Sequence, residues 1–504
     1  MTKLLVARAI GVIMRTSSIV LTAVAAVLSV HCGTDTGQAH PAVPDYSAVS
    51  RVDSGTPVAV MLTTYSTTLR ANGEDRTRLR IALTDSVGRE IMSATDSVRV
   101  YVAGDGTITT VDGGSLPVVA DTGDTRYTPT RLVNGVVSLG FRAGTSPDRV
   151  RVEARSGALF PGSHEIHTIP ADVGLMTPTA EQLPPTTKSI ARMIGADISF
   201  LPQIENNAGR FFQGGGKFFD NGQEIDAITL LKNHGFTAIR LRVFVNPENE
   251  GGYAPVQGFC GLDSTLSMAR RIKNAGLEFL LDFHYSDYWA DPQQQNKPLA
   301  WAELDYATLR DSMRSYTARV LRALERQGTL PDMVQIGNEI NHGLLWPDGH
   351  IGNLDQLAGL LQAGVEGAEA VDPNMPIMLH IALGGQNDEA RFWLDNMIAR
   401  GVRFDIIGLS YYPRWHGTLE DLSGNLHDLI DRYHKPINVV EYSDFKREVH
   451  DIVFNLPRDM GRGTAIWEPL GFRSGLFDRD GNVTDRMRIY DALNERYIRT
   501  ERRE

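Results

Sequence analysis

Two different rhythms of apolar and polar residues run along this chain, and they change over near residue 170. Between Val58 and Ile169 the apolar runs are short and alternating: Val58 to Leu62, Arg78 to Leu83, Val98 to Val102, Val136 to Phe141 and Val150 to Ala154. Asn72-Gly73, Asp105-Gly106, Asp112-Gly113-Gly114 and Asn134-Gly135 separate them with residues that tolerate the positive φ of tight turns. A period of two broken in this way predicts an immunoglobulin-like β-sandwich over residues 48–170. Nothing in that stretch predicts an active site, so it is expected to be a spacer or docking module.

From Ile190 onward short apolar runs alternate with longer ones that repeat near every 3.6 residues. The short runs predict eight strands: Ile194 to Phe200, Phe236 to Phe244, Leu277 to Phe283, Met333 to Asn338, Ile377 to Ala382, Phe404 to Ser410, Ile437 to Glu441 and Gly463 to Trp467. Helices are predicted at Leu262 to Ala275, Tyr306 to Gln327, Leu354 to Ala370, Glu389 to Ala399 and Leu419 to Tyr433. Such regular alternation predicts an α/β architecture, a (β/α)8 TIM barrel over residues 190–500. A doubly wound sheet would show a Gly-rich phosphate turn after its first strand, and none follows Phe200. Residues 171–189, with Thr177-Pro178 and Leu183-Pro184-Pro185, predict the linker.

The first 32 residues predict an export signal, with Lys3, Arg8 and Arg15 ahead of the apolar run Ile19 to Val30. That run is shorter than the roughly 20 residues a spanning helix needs. Cys32 follows Leu28-Ser29-Val30-His31, similar to a bacterial lipoprotein signal except that His31 stands where a small residue is usual. A lipid at Cys32 is the one membrane attachment expected, and residues 33–47 predict a tether. The expected location is extracellular or at the cell surface, with the periplasm open. A chain of 504 residues exceeds what one core supports, and its net charge of −11 argues against a nucleic-acid partner while leaving a neutral polymer open. Cys32 and Cys260, the two cysteines, are not expected to pair, and the chain is expected to act as a monomer.

Barrels of this kind place their chemistry at the C-terminal ends of the strands. There the strand Met333 to Ile336 turns at Gly337 and delivers Asn338 and Glu339, although this stretch alone would equally suit a helix-terminal acid. A second glutamate, Glu441, ends strand seven. Strand two offers Arg240 and Arg242 on one face; strand three Asp282, His284 and Asp287; strand six Tyr411 and Tyr412 with Trp415 and His416; strand eight Trp467 and Glu468. Two carboxylates across a barrel mouth suit glycoside hydrolysis, one protonated to assist the leaving oxygen and one ionised to attack. Arg240 or Arg242 would hold one ionised, while burial and a negative neighbour would raise the other. A metal reading would use His284, Asp282, Asp287 and His416, but their spacing matches no standard ligand set, so no metal and no cofactor are expected. All six tryptophans follow residue 190. Trp301 and Trp393, in or beside helices, are expected in the core, and Trp289, Trp346, Trp415 and Trp467 at the mouth, facing sugar rings.

With these residues in place, the second half of the chain resembles the endo-β-1,4-galactanases of glycoside hydrolase family 53, over roughly Gly195 to Tyr497. The likeness is carried by Gly195-Ala196-Asp197-Ile198-Ser199, Arg240-Leu241-Arg242-Val243, Leu281-Asp282-Phe283-His284-Tyr285-Ser286-Asp287 with Trp289-Ala290-Asp291-Pro292, and Gly337-Asn338-Glu339-Ile340-Asn341. It continues through Leu345-Trp346-Pro347-Asp348-Gly349, Gly408-Leu409-Ser410-Tyr411-Tyr412-Pro413 and Trp467-Glu468-Pro469. The resemblance implies that Glu339 is the acid/base, Glu441 the nucleophile and Asn338 a partner of the sugar 2-hydroxyl. It also implies a polysaccharide substrate, β-1,4-galactan, and a retaining reaction with the carboxylates about 5 to 5.5 Å apart. Tyr411 is then expected to donate to Glu441 and His284 to line the reacting subsite, with Asp287, Trp289, Trp346, Tyr412, Trp415 and Trp467 binding substrate. Tyr442-Ser443-Asp444-Phe445-Lys446 departs from the long loop of many relatives, and Trp467 follows Glu441 closely, so a shorter groove is expected. Another retaining β-glycanase, or a galactan-binding surface protein, remain the alternatives.

Overall fold

The computed structural model describes residues 45–122, 125–206, 216–471 and 474–499; the expected export signal, Cys32 and most of the tether lie outside them. All five strand runs expected in the first region are present, each within two residues of its expected start and end. They belong to two facing six-stranded sheets. One is built around the antiparallel pair Arg76–Thr84 and Val136–Ala143. The other is built around Asp148–Arg155, which pairs with Ser97–Ala103 on one side and with Gly162–Ile169 on the other. Their inner faces meet in a separate apolar core that includes Val60, Leu79, Ile81, Phe141, Val150, Val152 and Ile166.

From Met193 onward eight parallel strands close into a barrel: β1 (Met193–Asp197), β2 (Ala238–Val243), β3 (Glu278–Phe283), β4 (Met333–Ile336), β5 (Ile377–Ile381), β6 (Ile406–Tyr411), β7 (Ile437–Tyr442) and β8 (Gly461–Trp467). Alternation along each strand sorts its residues into two environments. Ile239, Leu241, Phe279, Leu281, Val334, Ile336, Ile407 and Leu409 face the helices. Met193, Ala238, Leu280, Met333, Met378, Ile406 and Val440 pack together in a separate layer inside the barrel. Two residues further along the same inward parity come Arg240, Asp282, Gln335 and His380, and four residues past Met193 comes Asp197, all buried. The interior is thus apolar at the end where the strands start and polar where they finish, which places the chemistry at one end.

Trp301 and Trp393 are in the core, as expected for helix-borne tryptophans. Residues 171–189 are not a free tether: Thr186 Oγ1 donates to the carbonyl of Asp405, Lys188 pairs with Asp405 at 2.9 Å, and Gln182 donates to the carbonyl of Ala399. The sandwich docks directly on the barrel. Thr67 donates to the buried Glu389 through both its amide (2.6 Å) and its hydroxyl (2.7 Å), and Thr68 Oγ1 adds 2.8 Å. His167 stacks on His342 with 3.8 Å between centroids, and its Nδ1 lies 2.9 Å from His350 Nε2. Arg149 and Arg414 close the two edges by donating to the carbonyls of Gln293 and Pro161.

Candidate active site

At the polar end of the barrel a cleft of about 600 Å³ is lined by Glu339, Glu441, Asn338, Trp289, Tyr412, Trp415 and Trp467, among others. Gly337 makes the turn that brings Glu339 there: its φ is +84°, and a Cβ on it would lie 2.6 Å from Ile340. Glu339 itself sits at φ +49°, a left-handed conformation that costs a non-glycine residue free energy and clusters at functional sites. It begins a single helical turn, Ile340–His342, but its side chain caps nothing; it points instead to Ser410, whose Oγ donates to Oε1 at 2.6 Å. Glu441 arrives from β7, where pairing with β8 breaks register between Val439 and Tyr442.

Arg240 organises the floor. One nitrogen, Nη1, donates to Glu441 Oε1 and Asp197 Oδ2, both at 2.9 Å; Nη2 donates to Asp282 (2.8 Å) and to Asn338 Oδ1 (2.9 Å). Burial raises both glutamates above the usual carboxylate range, but not equally. Glu339 is driven well up by burial and then by the charge of Glu441. At Glu441 burial is opposed chiefly by the Arg240 guanidinium, and Tyr412 donates to its other oxygen at 3.2 Å. The pair is therefore split: burial and its partner's charge favour the protonated form of Glu339, while Arg240 and Tyr412 favour the ionised form of Glu441.

Several expected residues stand elsewhere. The hydroxyl of Tyr411 donates to the carbonyl of Gly417, not to Glu441. Strand parity explains this: Ile407, Leu409 and Tyr411 face the helices, whereas Ser410 and Tyr412 face the axis. Arg242 serves Glu468 (2.7 Å) and Asp197, and lies 4.2 Å over the ring of Trp289, so it supports that ring rather than a catalytic glutamate. His284 lies behind the cleft lining, with Nε2 3.1 Å from Asp282 and Nδ1 accepting from the amide of Ala290. Asp287, expected among the substrate ligands, is not in the cleft lining: its oxygens accept from the amides of Asn246 and Leu299 and from the side chain of Asn249, folding a loop. Trp346 is not in the cleft either. Its Nε1 donates to the carbonyl of His342, and its ring packs against His167, His350 and Arg149 of the interface. Among the described residues no group of three His, Cys, Asp or Glu side chains could hold a metal ion.

The sequence reading missed His380 and Ser410. His380 Nε2 lies 2.9 Å from Ser410 Oγ, which donates to Glu339, and Nδ1 lies 3.1 Å from Asn338 Oδ1. Burial, then the charge of Arg240, depresses its basicity and keeps it neutral. A lone polar residue inside the apolar run Ile377–Ile381 was the available signal.

A parallel eightfold barrel with a split carboxylate pair in an aromatic-walled cleft is a glycoside hydrolase. The family description "Glycosyl hydrolase family 53" matches residues 193–466, and "Glycoside hydrolase family 2 C-terminal domain 5" matches residues 60–165. The chain belongs to glycosyl hydrolase family 53. A Niallia circulans protein described as lying in the "bgaB 5'region" is 49% identical over 262 residues, 50% of this chain and 68% of its own length. An Aspergillus tubingensis "Probable arabinogalactan endo-beta-1,4-galactanase A" is 35% identical over 274 residues, 53% of this chain and 74% of its own. Among solved structures, the "Ignisphaera aggregans GH53 catalytic domain" superposes with a TM-score of 0.55 at 32% identity, covering 62% of this chain and 99% of that one.

Proposed function

We propose that the protein hydrolyses β-1,4-galactosidic bonds within galactan with retention of configuration. The observation that carries the reading is the unequal treatment of the two glutamates: Arg240 and Tyr412 donate to Glu441, whereas Glu339 accepts from the Ser410 hydroxyl and is raised chiefly by burial and the repulsion of its partner. Glu441 attacks the anomeric carbon as Glu339 protonates the leaving oxygen, and water deprotonated by Glu339 then releases the sugar. Asn338, fixed through Oδ1 by Arg240 and through Nδ2 by the carbonyl of Ala290, stands beside Glu339 where a sugar 2-hydroxyl would meet it. Trp289 and Trp467, 6.3 Å apart by centroid, offer apolar faces to sugar rings. Galactan as substrate rests on the names of the relatives.

The proposal extends to export of the chain, on the strength of its basic-then-apolar start. The test is to incubate the protein with linear β-1,4-galactan and follow new reducing ends and product sizes. Short galacto-oligomers appearing early are expected. Release from another β-linked glycan but not from galactan would remove the substrate and keep the mechanism, and turnover of neither would remove both.

A further inference from the structure

The β-sandwich, expected to be a spacer, reaches the cleft. Thr67, Ser163, His164 and Glu165 line it together with the barrel residues. Ser163 and Glu165 lie on the same face of the strand Gly162–Ile169 as His167, which stacks on His342, so that face is turned to the barrel. His342 follows Glu339 by three residues, lines the same cleft, and meets Thr67 Oγ1 at 2.8 Å through Nε2. At the other edge the carbonyl of Pro161, just before the same strand, accepts from Arg414, the neighbour of Trp415. The sandwich thus spans from the loop after β4 to the loop after β6, on the side of the proton donor. The Ignisphaera relative is matched over 99% of its length by 62% of this chain, a barrel-sized share, so the wall is an addition to the barrel.

We infer that this strand of the sandwich forms one wall of the subsites that hold the leaving portion of the glycan. The inference rests on the reading of Glu339 as the group that protonates the leaving oxygen. The sugar that departs must lie against Glu339, and beyond Glu339 the cleft is lined by Asn341 and His342 of the barrel and by Ser163, His164 and Glu165 of the sandwich, of which Ser163 and Glu165 lie on the strand face turned to the barrel. The half-exposed Trp415 lines the same cleft. A polar edge and an aromatic plate in one cleft suit a pyranose, whose equatorial rim hydrogen-bonds and whose face stacks.

The test is a map of which bond is cut. Unlabelled β-1,4-galacto-oligosaccharides are hydrolysed by the full chain in 18O-water, which marks the new reducing end, and mass spectrometry reads the cleavage position. Ser163→Asn and Ser163→Trp add graded bulk to the wall, and a thermal unfolding curve for each establishes folding. The expected result is a shift of the preferred cut toward the reducing end that grows with side-chain size. A fall of about tenfold in kcat/KM on a hexasaccharide should accompany the tryptophan, the equivalent of one lost sugar contact. An unchanged cleavage pattern in a folded variant, or a shift toward the non-reducing end, overturns the inference. If the unsubstituted chain cuts a different β-linked oligosaccharide, the substrate assignment falls and the wall is judged on the same map with that sugar. No cleavage of any β-linked oligosaccharide overturns both.

Discussion

Replacing Arg240 by methionine would remove the charge that distinguishes the two glutamates. The guanidinium lies 2.9 Å from Glu441 Oε1, and both side chains are almost wholly buried. At an effective dielectric of about 20 that contact is worth at most about 6 kcal/mol, all of it favouring the ionised carboxylate. Without Arg240, Asp197 and Asp282 would add their repulsion, and the Glu441 pKa should rise further. On the proposed mechanism Glu441 must be ionised to attack, so the acid limb of kcat/KM against pH should move to higher pH and activity near neutrality should fall. Leaving three buried carboxylates without their shared partner should also cost about 3–5 kcal/mol of stability, read from urea midpoints. Arg240→Lys restores one charge without the four-way fork, and should fall between the methionine variant and the native protein on both measures. A folded Arg240→Met protein whose acid limb has not moved would refute the assignment of Arg240 as the group that holds Glu441 ionised; if methionine prevents folding, the lysine variant carries the same comparison.

Glu339→Gln should lower kcat/KM on galactan by about 10²–10⁴-fold, but much less on an aryl galactoside whose leaving group needs no proton, while kcat falls on both because the base of the second step is lost; equal losses of kcat/KM on both would contradict the acid role. Tyr412→Phe removes a hydrogen bond to an ionised oxygen, worth about 1.5–3 kcal/mol, and should reduce kcat tenfold or more, whereas Tyr411→Phe should act on stability alone. The reverse order of effects in steady-state kinetics would contradict the strand parity. His167, buried between the sandwich and the barrel, has its pKa depressed to about 3, by burial first and by His350 and Arg149 after it. A depressed histidine stabilises the fold above its unfolded value near 6.5 and loses that contribution as pH falls, about 2 kcal/mol by pH 5. His167→Gln should therefore flatten the change in stability between pH 7 and pH 5 by about that amount, and an equal slope in both proteins would refute it.

The barrel was legible because its signal is local: each inward parity run and each amphipathic helix repeats within a few residues. The two glutamates were legible because strand ends are where such barrels keep their chemistry. What failed depended on parity and on partners. Tyr411 and Tyr412 are adjacent and chemically alike, and only the inward phase set by Ile406 and Ser410 separates them. Trp346 was placed at the mouth because it follows a strand end, but the sandwich covers it, and that packing has no trace in the local pattern. The strand Gly162–Ile169 escaped notice for the same reason: Ser163, Glu165 and His167 look like a solvated face and are turned to the barrel instead. Asp287 shares the sequence neighbourhood of substrate ligands, yet its oxygens are consumed by loop amides that no spacing reveals.

The polar ring inside the barrel also constrains how the chain can fold. Arg240 on β2 draws its acceptors from β1, β3, β7 and the end of β4, and Arg242 ties β2 to Glu468 just past β8. A half-built barrel of β1 to β4 satisfies each of these guanidinium groups only in part, because Glu441 and Glu468, which complete the set, come from the last quarter of the sequence. A wrongly ordered strand would leave a buried charge unpaired, at several kcal/mol each. The same side chains that hold Glu441 therefore act as a check on strand order, and the barrel is expected to close in one cooperative step rather than accumulate as a stable half.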